Sequence, residues 1–108
     1  MIVTSRVHPG ESNASLIMEG FLEFIVSNDI QANNLRDLFV FKVVPMLNPD
    51  GVIVGNYRTS LSGLDLNRQW ATPDVNSSPE IYAMKMMIKK TLECRPVHLF
   101  VDIHGHSR

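Results

Sequence analysis

Residues 1–11, Met1-Ile2-Val3-Thr4-Ser5-Arg6-Val7-His8-Pro9-Gly10-Glu11, read as an extended segment that meets no turn before His8 and then bends at Pro9-Gly10. Ile2, Val3 and Val7 are the apolar, β-branched members of a strand. Beyond the bend, Leu16, Ile17, Gly20, Phe21 and Phe24 recur at helical spacing, with Leu22 and Ile25 widening the stripe. Ser12 or Asn13 is placed to cap that helix, and Ser27-Asn28-Asp29 to end it. The strand is already under way at the second residue, which leads us to expect a longer natural chain.

Leu35-Arg36-Asp37-Leu38 predicts one further helical turn. Phe39-Val40-Phe41-Lys42-Val43-Val44 is β-branched and aromatic with almost no polar break, the pattern of a strand covered on both faces. Asn48-Pro49-Asp50-Gly51 reads as a turn, and residues 52–78 as ordered loop, long enough to suggest function. Pro79 suits the first position of a second helix, running to about Glu93 with Ile81, Met84, Ile88 and Leu92 on one face. Val97-His98-Leu99-Phe100-Val101-Asp102-Ile103 is the last strand and delivers His104 at its carboxyl end. Neither repeats nor linkers interrupt residues 1–108, so one α/β domain is expected, with a partial mixed, largely parallel sheet and flanking helices. In such sheets ligands gather beyond the carboxyl ends of strands, where His8 and His104 both fall.

Composition narrows the function. The 108 residues are 44% hydrophobic and 19% charged with net charge -1, which suits a globular chain and favours neither nucleic acid nor an anionic membrane as partner. The single Cys94 cannot pair within the chain, and neither a signal peptide nor a membrane-length apolar run is present, so a cytoplasmic protein is expected. The sequons at Asn13 and Asn76 are then chance matches. His98, Cys94 and the Met84, Met86 and Met87 group fit strand and helix packing.

Three segments carry chemistry. His8 and Glu11 lie three residues apart on a strand-to-helix bend, where an imidazole and a carboxylate can converge on one zinc ion. The helix dipole alone would also favour Glu11. Asp102-Ile103-His104-Gly105-His106-Ser107 supplies a third ligand, with Asp102 and His104 on one strand face. Asn56-Tyr57-Arg58 and Asp65-Leu66-Asn67-Arg68 place two arginines in a polar loop, suited to a carboxylate or a developing oxyanion. A solvated surface loop would look similar.

Taken in order, HPGE at 8–11, NPDG at 48–51, NYR at 56–58, DLNR at 65–68 and DIHGHS at 102–107 resemble the catalytic domain of M14-type zinc carboxypeptidases. The likeness is strongest to the cytosolic carboxypeptidase branch that acts on tubulin. It implies one zinc ion held by His8, Glu11 and His104, with His106 the competing ligand candidate. Carboxypeptidase A is itself an instance of such a two-His, one-Glu site with an open fourth position. The resemblance further implies that Asp65 orients His8, Arg58 holds the oxyanion, and Asn67 and Arg68 clamp the substrate's terminal carboxylate. The substrates it implies are peptide or protein C-terminal tails, notably the glutamate-rich tails of tubulin. The family's general base, a Glu on a later strand, has no match here, since Glu80 and Glu93 fit neither motif. A β-rich domain usual in the branch likewise has no match within these residues. An incomplete catalytic domain, inactive alone, is therefore expected. The alternatives are a truncated isoform that only binds zinc or peptide, and a related zinc amidohydrolase of acylated amino acids.

Overall fold

The structure, a computed structural model, describes residues 1–105. Strand β1 (Ile2–Ser5) is fully buried and central. It pairs in parallel with β2 (Lys42–Val44) on one side and β3 (Phe100–Ile103) on the other, in register Thr4↔Val44 and Thr4↔Asp102. Three parallel strands match the expected sheet among the described residues. The chain steps from β1 to β2, then back across β1 to β3. Because crossovers between parallel strands are right-handed as a rule, helices on these two crossovers are expected on opposite faces of the sheet. Helix α1 (Ser12–Val26) lies against β1, β3 and α2 (Ile30–Leu38). Helix α4 (Pro79–Cys94) sends Ile81 and Met84 into a core with Ile2, Val7, Leu47 and Leu66.

Several expectations require correction. The anticipated apolar stripe of α1 is largely outside: Leu16 and Ile17 are exposed, while Ala14, Met18 and Ile25 are buried. A helix apolar on nearly every side has no unique packing face in its periodicity. Neither Ser12 nor Asn13 caps it. Ser12 is already helical, and the cap position belongs to Glu11, whose side chain makes no cap hydrogen bond. Helix α2 begins five residues before Leu35, because the Asp29 carboxylate accepts the N–H groups of Gln31 and Ala32. Residues 39–41 are not strand; the Phe39 N–H closes α2 on Leu35, and Phe41 stacks on Phe21 at 6.2 Å. Strand β2 is only half-buried rather than covered on both faces.

The Asn48-Pro49-Asp50-Gly51 segment opens a short helix, α3 (Pro49–Val54), instead of forming a turn. Residues that make turns also start helices: the Asn48 side chain accepts the Gly51 N–H at 3.0 Å and Pro49 takes the first position. Asn48 is fully buried and its amide also donates to the Val7 carbonyl at 3.2 Å, so it buckles α3 to the residue before His8. The long loop holds one further element, a 3-10 turn at Leu66–Arg68. Helix α4 starts at Pro79 as expected, although Leu92 on its anticipated face is exposed. Strand β3 starts three residues later than anticipated, at Phe100.

Candidate metal centre

His8 leaves the end of β1 and His104 the end of β3. The two strands are parallel neighbours, paired through Ser5↔Ile103, so their carboxyl ends lie side by side. The imidazole ring centres stand 5.3 Å apart. Glu11 reaches back from the foot of α1, and one ligand atom each from His8, Glu11 and His104 fit within 4.8 Å of one another. His106 lies outside the described residues.

Local structure holds the bend tightly. Arg6 adopts a left-handed backbone (φ 57°), and its guanidinium donates to the Pro9 carbonyl at 2.8 Å and the Ser15 hydroxyl at 2.6 Å. The Gly10 N–H donates to the Tyr57 carbonyl at 2.7 Å, strapping the Asn56–Arg58 loop to the bend. A Cβ on Gly10 would stand 2.6 Å from the Tyr57 ring, so this approach requires glycine. Gly105 passes against the tip of the exposed Asn13 side chain, and its N–H donates to Glu11 Oε2 at 2.7 Å.

Hydrogen-bond chemistry assigns the imidazole protons. His8 Nε2 lies 3.0 Å from Asp65 Oδ1, and His104 Nε2 lies 2.7 Å from Asp102 Oδ2. Carboxylates only accept, so each Nε2–H donates outward. In a neutral ring this leaves a lone pair on Nδ1. The two Nδ1 atoms face the two oxygens of Glu11 at 2.9 and 3.2 Å. Protons on the two Nδ1 atoms would satisfy this arrangement, and so would one shared cation with both rings neutral. The donor set of two imidazoles and one carboxylate suits zinc. The residues present therefore fit the metal.

Burial pushes the Glu11 pKa up, but in the metal-free chain the Gly105 N–H, and His8 and His104 when their rings carry a second proton on Nδ1, outweigh it and hold the carboxyl below its ordinary value. Burial acts the same way on Asp65, and is outweighed by hydrogen bonds from His8, Arg58 and the Asn67 N–H. Both groups stay ionised at neutral pH.

The Arg58 guanidinium donates through Nε and Nη2 to Asp65 Oδ2 at 2.9 and 2.8 Å, so one aspartate joins His8 to Arg58. Asn67 sits on the 3-10 turn that Asp65 caps, and its Oδ1 accepts the Trp70 indole N–H at 3.0 Å. Indole nitrogen only donates, which fixes the amide and leaves the Asn67 NH2 to face other partners. Arg68 is exposed, and among the described residues no hydrogen bond or ion pair joins it to His8, Glu11 or His104. Glu80 lies elsewhere, in an apolar groove with Val44, Met46 and Met84. Sequence reasoning missed Arg6, Trp70 and the contact of Asp102 with His104. Only the last left a signal, the two-residue spacing on one strand.

Residues 1–108 match throughout the family model described as zinc carboxypeptidase, Peptidase_M14. The chain belongs to the M14 zinc carboxypeptidase family. It is 62% identical over 108 residues to cytosolic carboxypeptidase 2 of Mus musculus, covering 100% of this chain and 12% of that protein. Against cytosolic carboxypeptidase 3 of Bos taurus the identity is 56%, with 100% and 11% covered. The chain thus spans about an eighth of these curated M14 relatives. Among solved structures it resembles a metallo-carboxypeptidase from Burkholderia cenocepacia (TM-score 0.89, 37% identity, 97% of this chain and 28% of that one). A metallo-carboxypeptidase from Pseudomonas aeruginosa in complex with (2-guanidinoethylmercapto)succinic acid matches with TM-score 0.85 and 38% identity, over 98% and 28%. Zinc is the family's metal. Among the described residues no helix is long and apolar enough to cross a membrane.

Proposed function

We propose that this chain contributes the metal, carbonyl and carboxylate-binding groups of a zinc carboxypeptidase that removes C-terminal amino acids from peptide or protein tails. The observation that carries the reading is the convergence of His8 Nδ1, His104 Nδ1 and the Glu11 carboxylate, with each imidazole's far nitrogen held by an aspartate. His8, Glu11 and His104 would hold the ion. A zinc ion held there supplies Lewis acidity, polarising a carbonyl and making water nucleophilic at neutral pH. Asp65 keeps the His8 lone pair turned inward and tethers Arg58 through the same carboxylate. Arg58 is 45% exposed along its side chain, leaving donors for a carbonyl oxygen that gains charge. The Asn67 NH2 and Arg68 face a substrate's terminal carboxylate, making the reaction exopeptidic.

The finer reading is a cytoplasmic enzyme acting on glutamate-rich tails such as those of tubulin, supported by the resemblance and by relatives named cytosolic carboxypeptidases. The general base is proposed to come from outside these 108 residues, in keeping with the 28% share of the solved metallo-carboxypeptidase that they cover. Taken alone, they are proposed to be one incomplete catalytic domain that binds zinc and releases little or no product.

Metal analysis of the purified chain is the test, with His8→Ala and His104→Ala alongside. One zinc per chain, lost in both variants, is expected; undiminished zinc in both would sink the ligand assignment. Release of glutamate from a polyglutamate-tailed peptide by the longer protein, and none from its C-terminal amide, would support the substrate class. Equal hydrolysis of an acylated single amino acid would favour an amidohydrolase instead.

A further inference from the structure

We infer that Asp102 is a positioning residue for the metal centre, fixing the tautomer and aim of His104, with Thr4 of the neighbouring strand setting the Asp102 carboxylate. The inference rests on the ligand set proposed above. Residues two apart on a strand project to the same side, so β3 carries Asp102 and His104 together toward its carboxyl end. Asp102 Oδ2 accepts the His104 Nε2–H at 2.7 Å. Its other oxygen, Oδ1, accepts the Thr4 hydroxyl at 2.7 Å. Thr4 and Asp102 are directly paired across the sheet, and Thr4 is fully buried. The Thr4 hydroxyl lies farther, 3.4 Å, from the Val101 carbonyl, so the carboxylate receives its one proton.

The two halves of the centre are built alike from unrelated positions. Asp65 arrives from the long loop to hold His8, and Asp102 from within β3 to hold His104. Each imidazole is left with its Nδ1 lone pair toward Glu11. A carboxylate on the far nitrogen locks the ring and raises the basicity of the ligating one. The Asp102 arm is the more rigid by construction, because its carboxylate rides on a sheet and not on a loop. Thr4 thereby links the buried central strand to the metal site.

The test measures zinc affinity of the full chain by competition with a chromogenic chelator, for wild type, Asp102→Asn, Asp102→Ala and Thr4→Val. Asp102→Ala is expected to weaken zinc binding by about 10–100-fold. Asp102→Asn keeps volume and one acceptor and should fall between it and wild type, while Thr4→Val keeps the β-branched shape and should cause a smaller loss. Nitrogen-15 NMR of the zinc-loaded chain provides a readout that packing alone would not move. The His104 proton should sit on Nε2 in wild type, and its resonance should lose its downfield, slowly exchanging character in Asp102→Ala. Circular dichroism identifies any variant that fails to fold, and Asp102→Asn and Thr4→Val then carry the comparison. Should His8→Ala and His104→Ala weaken zinc while the Asp102 variants bind like wild type, the inference alone is overturned. A proton found on Nδ1 of His104 overturns it as well. If the two His variants also bind like wild type, the ligand assignment fails and the inference falls with it.

Discussion

Asp65→Ala is the most informative single change, because one carboxylate serves three partners whose losses differ in kind. His8 is 4% exposed, and its Nε2–H would be left without an acceptor, a cost of about 1–3 kcal/mol. The Asn67 N–H loses the cap of the 3-10 turn, worth about 1 kcal/mol. The ion pair with the half-exposed Arg58 contributes about 0.5 kcal/mol or less. The metal-free chain should therefore lose about 3 kcal/mol, read as a lower urea midpoint at unchanged slope. Zinc affinity should fall separately by about 10–100-fold, because the His8 ring is no longer held in its ligating tautomer. Titrating zinc into the unfolding experiment separates the two, since bound metal adds stability in proportion to the logarithm of its concentration over Kd. A variant that unfolds early yet binds zinc like wild type would refute the orienting role and leave Asp65 a structural cap. Unaltered stability and affinity together would refute the hydrogen-bond geometry itself.

Trp70→Phe keeps the aromatic packing on Phe100 but deletes the indole N–H to Asn67. It should weaken binding of a peptide with a free C-terminal carboxylate by about 1 kcal/mol, roughly fivefold, without changing zinc affinity; isothermal titration checks both. Gly10→Ala drives a methyl group against the Tyr57 carbonyl and ring and strains the N–H that straps residues 56–58 to the bend. A loss of about 1–3 kcal/mol is expected in thermal melts. Asp74 is exposed, and N–H groups of Ser77 and Asn76 with the Ser77 hydroxyl hold its carboxyl below the ordinary 3.8. A depressed carboxyl stabilises the fold above its unfolded pKa, and that contribution fades as pH falls from the ordinary value through the folded one. Asp74→Ala should accordingly lower the urea midpoint at pH 6 and leave it almost unchanged at the acid end of that window.

The sequence by itself determined the first strand with the bend after it, the start of α4 and the chemistry-bearing residues. A β-branched run before His8-Pro9-Gly10 can only enter a bend, and Pro79 can only begin α4, because their backbone limits are local. Local chemistry misled where one residue type serves two purposes. Asn48-Pro49 opens a helix as readily as a turn, and Glu11 occupies a helix cap while its carboxylate turns to the imidazoles. Nor did periodicity select the buried face of α1, since apolar residues surround that helix. What only the tertiary structure decided is that β1 and β3, almost a hundred positions apart, are parallel neighbours. That pairing sets the two imidazoles 5.3 Å apart, gives Thr4 to Asp102, and lets Asp65 close the centre from the loop. The physical reason is that strand order follows from which apolar faces the whole chain can bury together, which no single stretch contains. His8, Glu11 and His104 were legible as ligand types from the outset; their convergence, and the aspartates that aim them, belong to the fold.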